Sequence, residues 1–164
     1  MANCQHSFRH GHAQCGQNPE LRTLFYKLAH LYHTPANILF VFDGLQKPAI
    51  KRGKKVVTIP PWLTTYFKDF ASAFGFRTHE AAGEAEAELA ALNQLGVIDA
   101  VWTEDSDALV FGALTVFRRQ SVLMYSANGL AQESAVALTK GGLLLMALFC
   151  GGDYNISSCL PTGH

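Results

Sequence analysis

The chain has little with which to cross a membrane, cross-link itself or carry net charge. No apolar run approaches the roughly 20 residues of a membrane-spanning helix, and the stretch after Met1 lacks the apolar segment of a secretory signal. No membrane partner is therefore expected. The four cysteines, Cys4, Cys15, Cys150 and Cys159, fall in two distant pairs rather than a dense framework. That pattern suits free thiols in a reducing compartment better than disulfides. Basic and acidic residues both number 13, and a net charge of zero would by itself argue against a nucleic-acid partner. There is no glycine-lysine-hydroxyl phosphate loop, no serine nucleophile elbow and no Ser/His/Asp set, so those NTPase and hydrolase chemistries are excluded. Internal repeats are also absent.

What is present is a globular composition. With 164 residues, 49% of them hydrophobic and 16% charged, the chain can bury a sizeable core in one folded domain. The zero net charge hides a segregation. Lys47, Lys51, Arg52, Lys54 and Lys55 crowd together, whereas most of the acids lie between Glu80 and Asp107. A basic strip beside an acidic cluster fits a phosphodiester gripped by the first and cut by metals held in the second. A solvated loop explains the strip equally well.

Residues 1–19 are polar and show no periodicity, as in an unstructured lead; His6, His10, His12, Cys4 and Cys15 have no compact zinc-ligand spacing. From Glu20 to Tyr32 the apolar positions Leu21, Leu24, Phe25, Leu28 and Leu31 predict a helix. Ile38–Phe42 reads as a buried strand that opens onto Asp43-Gly44. An acid at a strand end is placed for chemistry, although Asp43 before Gly44 is also ordinary turn chemistry. Trp62–Phe74 predicts a second helix with Leu63, Tyr66, Phe67, Phe70 and Phe74 in the core, and Phe76–His79 a short strand. A third helix runs from Gly83 to Gly96, its apolar side marked by Leu89, Leu92 and Leu95. Then come a buried strand Ile98–Trp102, a helical turn Ala108–Phe111, a strand Leu114–Phe117 and an edge strand Val122–Tyr125. A turn at Asn128-Gly129 and a helix Leu143–Cys150 capped by Thr139 complete the series. This order predicts an α/β fold, a mainly parallel sheet flanked by helices.

Glu84, Glu86, Glu88, Glu104, Asp105 and Asp107 sit at or beside two turns of Gly83–Asp107. Clustered like charges are costly unless a cation neutralises them, and carboxylate oxygens suit Mg²⁺. Asp43, Asp105, Asp107 and Asp153 each follow a predicted element end, where the fold could gather them. Glu84 and Glu86 point to nearly opposite sides of a regular helix. They converge only if Glu84 sits at the helix mouth. Attraction to the positive end of the helix dipole is the simpler explanation for Glu88, and stays open for the other two.

These stretches resemble a known family. GEAEAELAALNQLGVIDAVWTEDSDALVFGA is similar to the internal signature of the XPG-type structure-specific nucleases, which include flap endonucleases and Gen-type Holliday-junction resolvases. ILFVFDGLQKPAIKRGKKV resembles the end of that family's N-terminal region, and LLLMALFCGGDYN its next acidic motif. The short link from Lys55 to Gly83 and the lead HGHAQCGQNPELRTLF are most similar to the fungal Gen-like branch. The resemblance implies a PIN-like α/β core: a lead over 1–19, the end of the N-terminal region over 20–56, a short helical linker over 57–80, the internal region over 81–155 and a divergent tail over 156–164.

It also implies two Mg²⁺ (or Mn²⁺) ions and a nuclear enzyme of DNA repair that incises flapped or branched DNA. Asp43 would then be a ligand of the first metal, Glu84 and Glu86 of the first or of both, and Asp105, Asp107 and Asp153 of the second; Glu88 and Glu104 are not ligands in that scheme. Lys51, Arg52, Lys54 and Lys55 would contact the scissile phosphate, and together with Lys47 would bind DNA. The family's first strand, which ends in a metal-binding aspartate, has no counterpart in residues 1–19, and NISSCLPTGH departs from the family's glycine-rich helix-turn-helix. The resemblance thus implies a chain truncated at both ends. The alternative function is a non-catalytic remnant that binds only DNA or a partner. A PIN-type ribonuclease is disfavoured by the pairing of GEAEAE with TEDSD.

Overall fold

The computed structural model describes residues 18–47, 50–51, 54–55, 59–118, 123–133, 135 and 137–150. The lead, Arg52 and Asp153 lie outside the described residues. The chain divides into two compact units, Met1–Phe42 with Val57–His79, and Asp43–Val56 with Glu80–His164.

In the first unit, α1 (Pro19–Tyr32) starts with proline at its first turn, where no helical N–H is needed, and carries Glu20 beside the positive end of its dipole. Leu24 and Leu28 are its buried residues, each contributing about 1.5–3 kcal/mol of burial. Strand β1 (Leu39–Phe42) follows, and α2 (Pro61–Ala73) again begins at a proline. Aromatic edges bind these elements together: Phe25 meets Phe70 and Phe74, and Phe67 meets both Phe40 and Phe42. The expected α2 core stripe is only partly realised. Phe67 and Phe70 pack inward, but Tyr66 is largely exposed and sits against Trp62. Strand β4 (Arg77–Glu80) pairs with β1, and all four of its side chains are exposed.

In the second unit, a short antiparallel hairpin joins β2 (Ile50–Lys51) to β3 (Lys54–Lys55), so part of the basic strip is folded back on itself. The main body is α3 (Ala85–Gln94), β5 (Val101–Trp102), α4 (Asp107–Val110), β6 (Thr115–Arg118), β7 (Leu123–Ser126), α5 (Ala127–Gln132) and α6 (Lys140–Cys150). Strands β5 and β6 pair in parallel, and β7 adds an antiparallel edge strand. The core is Ala90, Val101, Ala108, Ala113 and Val116, enclosed by Leu89, Ile98, Leu109 and Phe111. Three alanines in that set let α3 and α4 approach the sheet closely. Gly96 and Gly112, both with positive φ, end these two helices and turn the chain into the strands; in each case the next N–H closes back on the last helical turn, Val97 to Leu92 and Ala113 to Ala108.

The α/β architecture, the helix order and the edge position of β7 are as expected from the sequence. Three local expectations fail. Only Val101–Trp102 of the 98–102 run is a strand, and Trp102 is 53% exposed. The turn at Gly96 consumes the residues before it, and the two-residue period then turns Val101 inward and Trp102 out. Leu95, expected on the inner side of α3, is largely exposed, and Ala90 and Asn93 are the residues of that helix that bury. Asn128-Gly129 lies within α5 rather than in a turn. Ser126, still extended, ends β7, and the Ala127 N–H bonds to the Leu114 carbonyl as the helix begins.

Candidate metal centre

The site is built by two loops of the second unit that touch through their backbones. The Gly44 N–H donates to the Gly83 carbonyl at 2.7 Å, and the Gln46 N–H to the Ala82 carbonyl at 3.1 Å. Gly44 is required by this approach, since a Cβ there would lie 1.8 Å from the Ala81 oxygen. Docking the loops brings Asp43 to the mouth of α3. Its Oδ1 accepts from the Ala85 N–H at 3.0 Å, a bond spanning 42 residues of sequence. Its Oδ2 is paired with the Lys47 ammonium at 2.6 Å. Asp43 thus does more than the local turn chemistry its sequence context allowed.

Glu84 is the N-cap of α3, with extended backbone (φ −82°, ψ 137°). That is the position required for it to escape the opposed geometry of a regular i, i+2 pair. Its Oε1 is buried and accepts no hydrogen bond, while the residue has other partners. Glu86 and Glu88 occupy the first turn of α3, near its positive end. Burial raises the Glu86 carboxyl above its ordinary range, its own backbone N–H partly offsets this, and the negative charges of Asp43 and Asp105 raise it further. Asp43 and Asp105, both distant from Glu86 in sequence, therefore lie close enough to act on it.

The fourth element is the loop after β5. The Thr103 N–H donates to the Phe117 carbonyl at 3.2 Å, and the Thr103 Oγ1 accepts from the Asp105 N–H at 3.1 Å. Asp105 Oδ1 in turn accepts from the Asp107 N–H at 3.0 Å, opening α4. Arg118 anchors the same loop by donating from Nη2 to the Glu104 carbonyl at 2.9 Å. Sequence reasoning missed Arg118, because a lone arginine at a strand end carries no pattern. It also missed Asn93, which is 4% exposed. Asn93 donates to the Ile98 carbonyl and accepts from the Leu114 and Thr115 N–H groups, joining the last turn of α3 to the start of β6.

Of the residues expected to form the site, Asp43, Glu84, Glu86, Asp105 and Asp107 all lie in these facing loops and helix mouths. Glu88 and Glu104 are beside them, and Asp153 is outside the described residues. Lys51, Lys54 and Lys55 lie on the β2–β3 hairpin. Among the described residues, no three His, Cys, Asp or Glu side chains are arranged to hold a metal ion jointly. The donor set nevertheless fits a hard divalent cation: the donors are carboxylate oxygens, and burial together with the negative charges of Asp43 and Asp105 makes an uncompensated Glu86 carboxylate costly. A cationic ammonium already rests on Asp43.

The raised Glu86 carboxyl has a consequence for stability. The metal-free fold holds this proton more tightly than the unfolded chain does. The resulting stabilisation is complete below the unfolded value and is lost as pH rises through the raised folded value. Glu86→Gln should therefore raise the melting temperature of metal-free protein at neutral pH, by about 2–4 °C for each kcal/mol relieved, and should have less effect in mild acid. Thermal denaturation in chelator across that pH range checks it; a lower neutral-pH melting temperature for the variant would contradict it.

Comparison with known proteins places the chain in a family. Residues 75–153 match the XPG I-region. The flap endonuclease GEN homolog 1 of Mus musculus is 28% identical over 172 residues, covering 90% of this chain and 18% of that protein. The flap endonuclease GEN-like 1 of Arabidopsis thaliana is 36% identical over 130 residues, covering 74% of this chain and 21% of that one. The chain thus spans about a fifth of these relatives' length. A crystal structure of the Holliday junction-resolving enzyme GEN1 with product DNA and Mg²⁺ superposes with a TM-score of 0.75 at 36% identity, over 94% of this chain and 38% of that one. The catalytic core of Rad2 with a DNA substrate gives 0.73 at 26% identity, over 85% and 48%. By these matches the chain belongs to the XPG-type nuclease family, in its Gen-like branch.

Proposed function

We propose that this chain carries the metal-binding acids of a structure-specific DNA endonuclease that incises 5′ flaps or four-way junctions in the nucleus. The observation that carries the reading is the docking of the Asp43 loop on the mouth of α3, beside Glu86, whose carboxyl is raised by burial and by the negative charges of Asp43 and Asp105. Asp43, Glu84 and Glu86 would hold one Mg²⁺ or Mn²⁺ ion, and Asp105, Asp107 and Asp153 a second. Ions held there would supply activation of a water and charge neutralisation at the leaving oxygen of a phosphodiester. The protein's own part is positional and electrostatic. The Ala85 N–H keeps Asp43 oriented, and Arg118 with Thr103 fixes the loop bearing Asp105. Lys47, Lys51, Arg52, Lys54 and Lys55 would contact the DNA backbone, the last four nearest the scissile phosphate.

The test is cleavage of a labelled 5′-flap duplex and a four-way junction in Mg²⁺ by the chain and by Asp105→Ala. Removing one ligand is expected to cost about 4 kcal/mol of transition-state stabilisation, roughly a thousandfold in rate. Equal cleavage by both proteins, or none by either, would return the chain to the DNA-binding remnant.

A further inference from the structure

We propose that Lys47 is a built-in counter-ion that divalent metal displaces from Asp43, and that the freed ammonium then binds the DNA phosphate. This rests on the metal-centre reading above and assigns Lys47 a role that changes with metal occupancy. Both Asp43 oxygens are already engaged, Oδ1 by the Ala85 N–H and Oδ2 by Lys47 at 2.6 Å. The two contacts are not equally labile. The backbone donor is fixed by the docked loops, whereas the ammonium sits on a flexible four-carbon stem, in a side chain that is 26% exposed. A divalent ion bound to the same carboxylate would face that ammonium within a few ångströms, and the like charges repel. Lys47 is the partner that can leave.

Once released, the ammonium remains tethered to the 43–47 turn, which the Lys47 N–H closes by bonding to the Gly44 carbonyl at 3.3 Å. It is therefore held at the rim of the acids, with no negative partner on Asp43 to compete for it. A phosphodiester oxygen drawn to the metals would meet it there. The same lysine thus opposes metal binding in the empty site and assists DNA binding in the filled one. An ordinary solvated lysine would do neither selectively.

The experiment uses the whole chain and Lys47→Met, with Lys47→Arg as a conservative control. Mg²⁺ affinity is measured by calorimetry, and DNA affinity by fluorescence anisotropy with a single-stranded-flap duplex, in chelator and in non-cleaving Ca²⁺. Lysine side-chain NMR reports the ammonium directly. Lys47→Met should bind Mg²⁺ about two- to fivefold more tightly, the range of an exposed ion pair. It should bind DNA about two- to fivefold more weakly in Ca²⁺ and equally well in chelator, with Lys47→Arg restoring the Ca²⁺ value. In the unsubstituted protein, the Lys47 ammonium signal should shift and exchange faster with solvent when Mg²⁺ is added. Metal binding that leaves that signal unmoved, or DNA binding weakened equally with and without metal, would overturn the proposal. Absence of any Mg²⁺ or Ca²⁺ binding would instead overturn the metal-centre reading, and this proposal with it.

Discussion

Gly44→Ala is expected to separate the two loops that make the site. A Cβ at this position meets the Ala81 oxygen at 1.8 Å, the Ala82 oxygen at 2.6 Å and the Ala81 carbonyl carbon at 2.8 Å. All three are backbone atoms, so no side-chain rotation relieves the clash. The requirement is steric, since Gly44 is not among the glycines with positive φ. Moving the loops apart by an ångström or more breaks the Gly44–Gly83 and Gln46–Ala82 hydrogen bonds and pulls Asp43 from the Ala85 N–H. At roughly 1 kcal/mol for each lost bond, the loss is about 3 kcal/mol, with overpacking strain in addition. Divalent-metal affinity should fall by roughly tenfold or more, because a ligand shell loses its support. Chemical denaturation and metal titration of the variant measure both. A variant with unchanged metal affinity would show that the loop contact does not position Asp43.

Asn93 is the second position where a large effect is expected, this time on stability. Its amide makes three hydrogen bonds, to the Ile98 carbonyl at 2.9 Å and from the Leu114 and Thr115 N–H groups at 2.7 and 3.0 Å. Asn93→Leu is similar in volume but strands two backbone donors and one acceptor in a buried place. With each such group costing about 1–3 kcal/mol, a loss of about 3–5 kcal/mol is expected, and a fall in melting temperature of roughly 10 °C. Asn93→Asp keeps the two acceptor contacts, loses the donor and introduces a buried charge, so it should also destabilise. A loss below about 1 kcal/mol for the leucine variant would mean that solvent replaces the amide, and that Asn93 is not the tie between α3 and the sheet.

These two residues mark the limit of what the sequence disclosed. Helices α1, α2 and α6 were legible because apolar spacing and proline at the first turn are local signals. The acids were legible because their clustering has a physical cost that demands an explanation. The convergence of Glu84 with Glu86 was stated as a condition, and the extended backbone of Glu84 meets it. Asn93 was not legible: a single amide in a helix looks like a neutral surface choice until its partners, five to 22 residues away, are known. The contact of Gly44 with Ala81 was hidden for the same reason. Trp102 was misplaced because hydrophobicity alone does not say which side of a two-residue strand meets the helices. Asn128-Gly129 misled because that dipeptide signals a turn only between paired strands, whereas here it follows one strand into a helix.

The fold and the site depend on each other through electrostatics. Asp43 and Asp105 are brought near Glu86 by backbone contacts made elsewhere, and the Glu86 carboxyl is raised by burial first and then by their negative charge. Lys47 relieves part of it at Asp43. This is a site whose metal-free form is held under charge repulsion and which a divalent cation should tighten.

The central claim is that these acids form a divalent-metal centre, and calorimetric titration of the chain with Mn²⁺ at neutral pH tests it most directly. The titration should show saturable binding, and Glu86→Gln should bind at least tenfold more weakly. No saturable heat, or identical isotherms for the two proteins, would contradict it.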